Sequence, residues 1–245
     1  MRLAVIADIH GNVLALQAAL ADIARRGPDR IVNLGDCVSG PLWPRETVDT
    51  LGALGLATVR GNHDRWVAET PRDRMYPSDA FACDRLAPEQ RVALGALPAR
   101  LDLAEGIVAV HGTPGDDNRY LLEDVVDGRL ALATPVAIAQ RLGGLGAGLL
   151  LCAHSHLPRV AHGPGGMLIV NPGSVGCPAY ADPTPPAHVS EAGSPHARYA
   201  LLTRWSGVWS IEMIAVAYDW DAAAKRAADH ARPEWARALA TGFVA

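Results

Sequence analysis

The sequence predicts an α/β fold that opens on a parallel sheet and continues into a mainly antiparallel second half. Two patterns carry this expectation. Over the first sixty residues, short apolar runs alternate with helix-spaced stretches in a βαβαβ order, which favours parallel strands joined by right-handed crossovers. Beyond residue 157 the apolar runs instead return in pairs across short polar turns, the mark of hairpins.

Residues 2–7, "RLAVIA", read as the first strand. "NVLALQAALADIARRGPD" follows as a helix, with Leu16, Leu20 and Ile23 at helical spacing and Gly27-Pro28 as its stop. "DRIVNLG" is the second strand, "PRETVDTLGALG" a helix with Pro44 near its start, and "LATVRG" the third strand. Residues 65–100 are richer in charge and proline and read as a helical insertion containing "APEQRVALGALPA". Two buried strands, "EGIVAVHG" and "GAGLLLCAHSH", flank a helix over "TPVAIAQRLGG" that Thr134 should cap. "RVAHGPGGMLIVNPGS" reads as one hairpin and "ARYALLTRWSGVWSIEMIAVAY" as another, turning at Ser206-Gly207. Between them, residues 181–197 are rich in Pro, Ser and His and read as a mobile loop. The tail from "DWDAAAK" onward reads as one or two surface helices, and residues 1–245 as a single domain without internal repeats.

Composition narrows the function classes. With 49% hydrophobic and 20% charged residues, the chain can bury a substantial core, and a formal net charge of -4 advertises neither nucleic acid nor an anionic membrane as partner. The N-terminal apolar run is too short for a signal-peptide core, and no stretch approaches the ~20 residues of a membrane span. A cytoplasmic location is the expectation. Cys37, Cys83, Cys152 and Cys177 are far apart and form no CxxC pair, so reduced thiols are expected rather than a disulfide framework or zinc ribbon.

In open α/β sheets ligands collect beyond the carboxyl ends of the strands. There the polar residues are patterned. "RLAVIA" is followed by Asp8 and His10, "RIVNLG" by Asp36, "LATVRG" by Asn62, His63 and Asp64, "GIVAV" by His111, and "GLLLCA" by His154 and His156. Any one of these has an ordinary explanation: a turn, a helix cap or a satisfied core histidine. Together, four histidines, two aspartates and an amide at the same sheet end point to borderline divalent ions such as Mn, Fe, Zn, Ni or Co. They are too many for one tetrahedral ion, but would serve two ions ~3.5–4 Å apart that share a carboxylate.

In this order, Asp8-x-His10, Gly35-Asp36, Gly61-Asn62-His63-Asp64, His111-Gly112 and His154-x-His156 resemble the motifs of the calcineurin-like metallophosphoesterases. "NPGSVG" at 171–176, "RYALL" at 198–202 and "YDWDAAA" extend the likeness over nearly the whole chain, toward the small bacterial and archaeal phosphodiesterase-like branch. The resemblance implies a four-layer α-β-β-α sandwich. It implies one metal held by Asp8, His10 and His156, a second held by Asn62, His111 and His154, and Asp36 bridging them, with Mn the leading candidate metal. His63 would be the catalytic histidine and Asp64 would orient it.

On this reading a metal-bridging hydroxide attacks a phosphodiester or other small phosphate ester, and His63 assists the departing oxygen. Asn12, at the N-cap of the first helix, and Arg119, in the loop after His111, are the candidate substrate contacts. The protein phosphatase and symmetrical dinucleotide hydrolase signatures "GDxxDRG" and "GNHE" are replaced by "GDCVSG" and "GNHD", which disfavours those substrates. A dinucleoside polyphosphate hydrolase and a non-catalytic metal-binding scaffold are the alternatives. The oligomeric state stays open, a homo-oligomer included.

Overall fold

The computed structural model describes residues 1–103 and 106–244. Its opening is the expected βαβαβ: β1 (Arg2–Ile6), α1 (Val13–Arg26), β2 (Arg30–Asn33), α2 (Pro44–Leu54) and β3 (Ala57–Thr58). α1 starts where Asn12 Oδ1 accepts from the Ala15 amide, and ends where Gly27 turns into the left-handed region. Both β1–β2 and β2–β3 are parallel. β3 is shorter than "LATVRG" suggested, because the chain leaves the sheet at Val59 to enter the helical segment.

That segment holds α3 (Asn62–Glu69), α4 (Pro77–Cys83) and α5 (Pro88–Gly95), so it begins inside the "GNHD" stretch itself. A strand the sequence reading omitted, β4 (Arg100–Leu103), pairs antiparallel with β5 (Ile107–Val110). Next comes a hairpin, β6 (Glu123–Val126) and β7 (Arg129–Leu132), followed by α6 (Pro135–Leu142), which Thr134 caps through the Ala137 amide. β8 (Leu149–Leu151) runs parallel to β5, and β9 (Pro158–His162) and β10 (Leu168–Pro172) form the expected hairpin, with β10 also parallel to β8.

Residues 181–197 correct the loop reading. β11 (Ala179–Asp182) and β12 (His188–Glu191) pair antiparallel, and β12 meets β7 to form a third, small sheet. The β11–β12 ladder and the Val189–Arg129 pairing to β7 engage the backbone, and His188 and Ser190 are buried. β13 (Ala197–Trp205) and β14 (Val208–Val216) turn at Ser206 and Gly207, both at positive φ, and β13 lies antiparallel to β1. α7 (Trp220–Asp229) and α8 (Pro233–Thr241) close the chain.

The two five-stranded sheets, ordered β14-β13-β1-β2-β3 and β4-β5-β8-β10-β9, stack face to face. Leu3, Val5, Val32 and Leu202 of the first meet Ile107, Leu149, Leu151 and Val170 of the second in the central core. On the outer face of the first sheet, Ala4, Ile6, Tyr199 and Leu201 pack on Leu16, Ala19 and Ile23 of α1. On the outer face of the second, Val108, Leu150 and Ile169 pack on Ile138 and Leu142 of α6. The architecture is therefore a four-layer α-β-β-α sandwich. Both sheets send their parallel strands toward the same end, so the segments after β1, β2, β3, β5 and β8 meet there. Among the described residues, no helix is long and apolar enough to cross a membrane.

Candidate metal centre

The residues that follow those strands converge. Asp8, His10 and His156 offer ligand atoms within 4.8 Å of one another, and so do Asp36, His111 and His154. Asp36 Oδ2 faces both sets, 3.8 Å from His10 Nε2 and 3.3 Å from His111 Nε2. The backbone is unusual at five of these six residues: Asp8, His10, Asp36, His154 and His156 all have φ between 51° and 72°. L-residues rarely occupy this region, and a cluster of them at one strand end is a feature of functional sites. Packing holds the turns. A Cβ on Gly61 would lie 2.1 Å from Asp36 Oδ1, so that position takes only glycine.

The hydrogen bonds fix the proton positions on the histidines. Nδ1 of His10, His111 and His156 each lies 2.7 Å from a carbonyl oxygen, of Ser39, Leu34 and Cys177 respectively. A carbonyl only accepts, so each Nδ1 carries the hydrogen and each ring turns its Nε2 inward. His10 Nε2 and His156 Nε2 then face each other at 3.1 Å with no proton between them. Burial holds the His10 pKa down at about 4 and that of His156 well below the usual range, so neither ring supplies a proton. Two opposed lone pairs repel unless a cation sits against both.

The carboxylates make the same demand. Asp8 is fully buried and neither of its oxygens has a hydrogen-bond partner; Asn62 Oδ1 is buried and unpartnered as well. Such groups are costly to bury without a counter-charge. Burial pushes the Asp8 carboxyl up to about 8, whereas burial opposes but His111, His63 and His10 overcome it to hold Asp36 well below the usual carboxylate range. At His111 burial works downward, but Asp36, Asp8 and the Leu34 carbonyl together raise its pKa to about 10. The residues present therefore fit a pair of divalent cations.

His63 projects into the cleft beside these groups, its amide donating to Asp36 Oδ1 at 2.9 Å. The carboxylate that orients it is Asp79 of α4, whose Oδ1 lies 2.7 Å from His63 Nδ1. This corrects the expectation for Asp64. That side chain accepts from the amides of Asp36, Cys37 and Gly61, clamping the turn after β2 to the start of α3, and makes no hydrogen bond to His63. Adjacent helical residues diverge, so Asp64 faces the turn while His63 faces the cleft.

Neither candidate substrate contact lines the cleft. Asn12 is fully buried outside the cleft walls, its Nδ2 donating to the Gly176 carbonyl and the Tyr218 hydroxyl. Arg119 is exposed and absent from the walls, because its loop tucks backbone carbonyls against Gly112 and turns the side chain outward. The arginine that does line the cleft is Arg232, just before α8, bonded to Glu234 and to Ser78. Cys37 is a buried thiol, raised by burial and then by Asp64, and Asn33 donates to its sulfur.

Comparisons agree with this geometry. The profile of the calcineurin-like phosphoesterase superfamily domain matches residues 1–190. The uncharacterized protein MJ0912 of Methanocaldococcus jannaschii is 28% identical over 257 residues, covering 95% of this chain and 94% of that protein. Among solved structures, a metallophosphoesterase from Sphaerobacter thermophilus superposes with a TM-score of 0.75 at 25% identity, over 99% of this chain and 100% of its own. Protein PH1004 from Pyrococcus horikoshii OT3 shares the fold, with a TM-score of 0.76 at 24% identity over 100% and 99%.

Proposed function

Because this chain belongs to the calcineurin-like phosphoesterase superfamily, we propose that it is a two-metal hydrolase of phosphodiesters or other small phosphate esters. The observation that carries the reading is the pair of opposed Nε2 lone pairs on His10 and His156 beside the unpartnered carboxylate of Asp8. Asp8, His10 and His156 would hold one ion and Asn62, His111 and His154 the other, with Asp36 between them. Two divalent ions there would supply Lewis acidity toward the phosphoryl oxygens and acidify a water to serve as nucleophile near neutral pH.

The chain's own residues do the rest. His63, with Nδ1 held by Asp79, presents Nε2 to the cleft, where it can donate to the departing oxygen. Asp64 keeps the turns of Asp36 and Asn62 in register. A scaffold without catalysis would have no use for a buried carboxylate aligning a histidine that faces the cleft.

The test is an assay of protein loaded in turn with Mn, Ni, Zn and Mg against aryl phosphodiesters, small nucleotides and phosphoserine peptides. Diesters or small nucleotides should be turned over fastest, in keeping with the absence of the protein phosphatase signatures. Faster phosphate release from the peptides would overturn that preference.

Asp79 is a positioning residue in this scheme. Asp79→Asn should lower turnover by roughly 10–10², the usual worth of a carboxylate that orients a functional histidine. Metal content should not change, and the loss should shrink with acidic leaving groups. An Asp79→Asn, His63→Ala double variant should be little worse than His63→Ala alone. Additive losses would show that Asp79 acts elsewhere.

A further inference from the structure

The cleft over the metal-ligating residues has a volume of about 440 Å³, within the range that takes a small organic ligand. Its walls are aromatic well beyond the chain's average. Aromatic residues are only 5% of the sequence, yet two of the six tryptophans and three of the five tyrosines line this one cleft. Four ring contacts run in series across it: Tyr76 to Trp66 at 5.7 Å, Trp66 to His63 at 4.8 Å, His63 to His10 at 5.5 Å, and His10 to Trp235 at 6.0 Å. The histidine that faces the departing oxygen thus lies between Trp66 and Tyr76 on one side and Trp235 on the other. Trp66 and Trp235 are only half-buried, although they stand over a polar site.

The charges around these rings are the second observation. Apart from the metal-ligating residues and His63, the charged side chains on the described walls are Asp182, Glu234 and Arg232. Arg232 is already paired, with Nε 2.5 Å from Glu234 Oε1 and Nη2 3.2 Å from Ser78 Oγ. A chain of phosphates reaching past the metals would meet two carboxylates and a neutralised arginine. A flat, uncharged ring would meet indole and phenol faces.

Resting on the phosphoesterase reading, we propose that the substrate is a single-phosphate ester carrying a planar uncharged ring of the nucleobase class, seated between the Trp66–Tyr76 wall and Trp235. Ring stacking supplies the selectivity, and the described walls offer no unpaired Lys or Arg side chain to hold further phosphates beyond the one at the metals. Trp235 lies beyond residues 1–190, so one wall of this ring pocket comes from outside the segment that matches the superfamily.

Calorimetric binding to Mn-loaded, desalted protein tests this with adenosine 5′-monophosphate, ribose 5-phosphate, adenosine 5′-diphosphate and phosphocholine. The first two share a phosphate and a sugar and differ only in the base. The monophosphate should bind about tenfold tighter than ribose 5-phosphate, the scale of one stacked base. Trp66→Leu and Trp235→Leu should each shrink that ratio. The diphosphate should bind no tighter than the monophosphate. Equal affinities for the first pair would overturn the ring pocket and leave the phosphoesterase reading standing. Tighter binding of the diphosphate would overturn the single-phosphate assignment, and tighter binding of phosphocholine would show the rings to be a cage for an ammonium group. Failure to hydrolyse any ester would remove the phosphoesterase reading, while the binding ratio still decides this one.

Discussion

His63→Ala should lower turnover of a phosphodiester with a poor leaving group by about 10²–10⁴, the usual worth of a positioned proton donor, while two ions stay bound. The geometry separates it from its neighbour. His63 is held from both ends, its amide on Asp36 Oδ1 and its Nδ1 on Asp79, with the ring a quarter exposed to the cleft. Asn62 is buried, with an unpartnered Oδ1. Asn62→Ala should therefore lose affinity at the second metal position and recover in part with excess Mn, whereas excess metal should do nothing for His63→Ala. Rates for a series of aryl diesters should converge with wild type as the leaving group becomes more acidic. If His63→Ala sheds metal, or slows all esters equally, its role is ligation or electrostatic clamping.

Asp36→Asn should strike both metal positions at once. Oδ2 of Asp36 faces His10 and His111 together. Removing one partner of a buried charge pair costs about 3–5 kcal/mol, which corresponds to about 10²–10⁴ in affinity. Elemental analysis of Mn-saturated wild type should give about two ions per chain, and Asp36→Asn fewer than one at the same free metal concentration. His111→Ala should empty mainly one position. Retention of two ions at wild-type affinity in Asp36→Asn would remove the bridging role. Circular dichroism should show both variants folded, because the sheets beneath the site rest on the apolar contacts of their faces rather than on this carboxylate.

The parallel half of the fold and the six converging candidate ligand residues were legible because each apolar run ends in a short polar motif, and a parallel sheet brings such ends together. The orienting partner of His63 was not. Asp79 lies sixteen positions downstream, in "PSDAF", where an acid in the first turn of a helix reads as ordinary complement to the helix dipole. Asp64 was next in sequence and for that reason pointed the wrong way. The composition of 181–197 concealed β11 and β12, since Pro, Ser and His describe the turn at 183–187 and not the strands that flank it. β6 and β7 carried a readable sign: Asp127 and Gly128, both at positive φ, form a two-residue hairpin turn between "EDVV" and "RLAL". The ring walls come from α3, the segment leading into α4, the loop after β5, β11 and α8, and no periodicity in the chain links them.

The left-handed backbone at Asp8, His10, Asp36, His154 and His156 limits how the site can change over evolutionary time. Asp and His are among the few non-glycine residues that tolerate this conformation, and β-branched or bulky residues do not. A lineage drifting toward a different metal cannot simply exchange these side chains for whatever donor that metal prefers, because the turn rejects many of them before the ion is tried. Asn62 and His111 carry no such restriction. Retuning of the metal, by selection or by design, has its open route through those two positions, and through the hydrogen bonds behind the ligands.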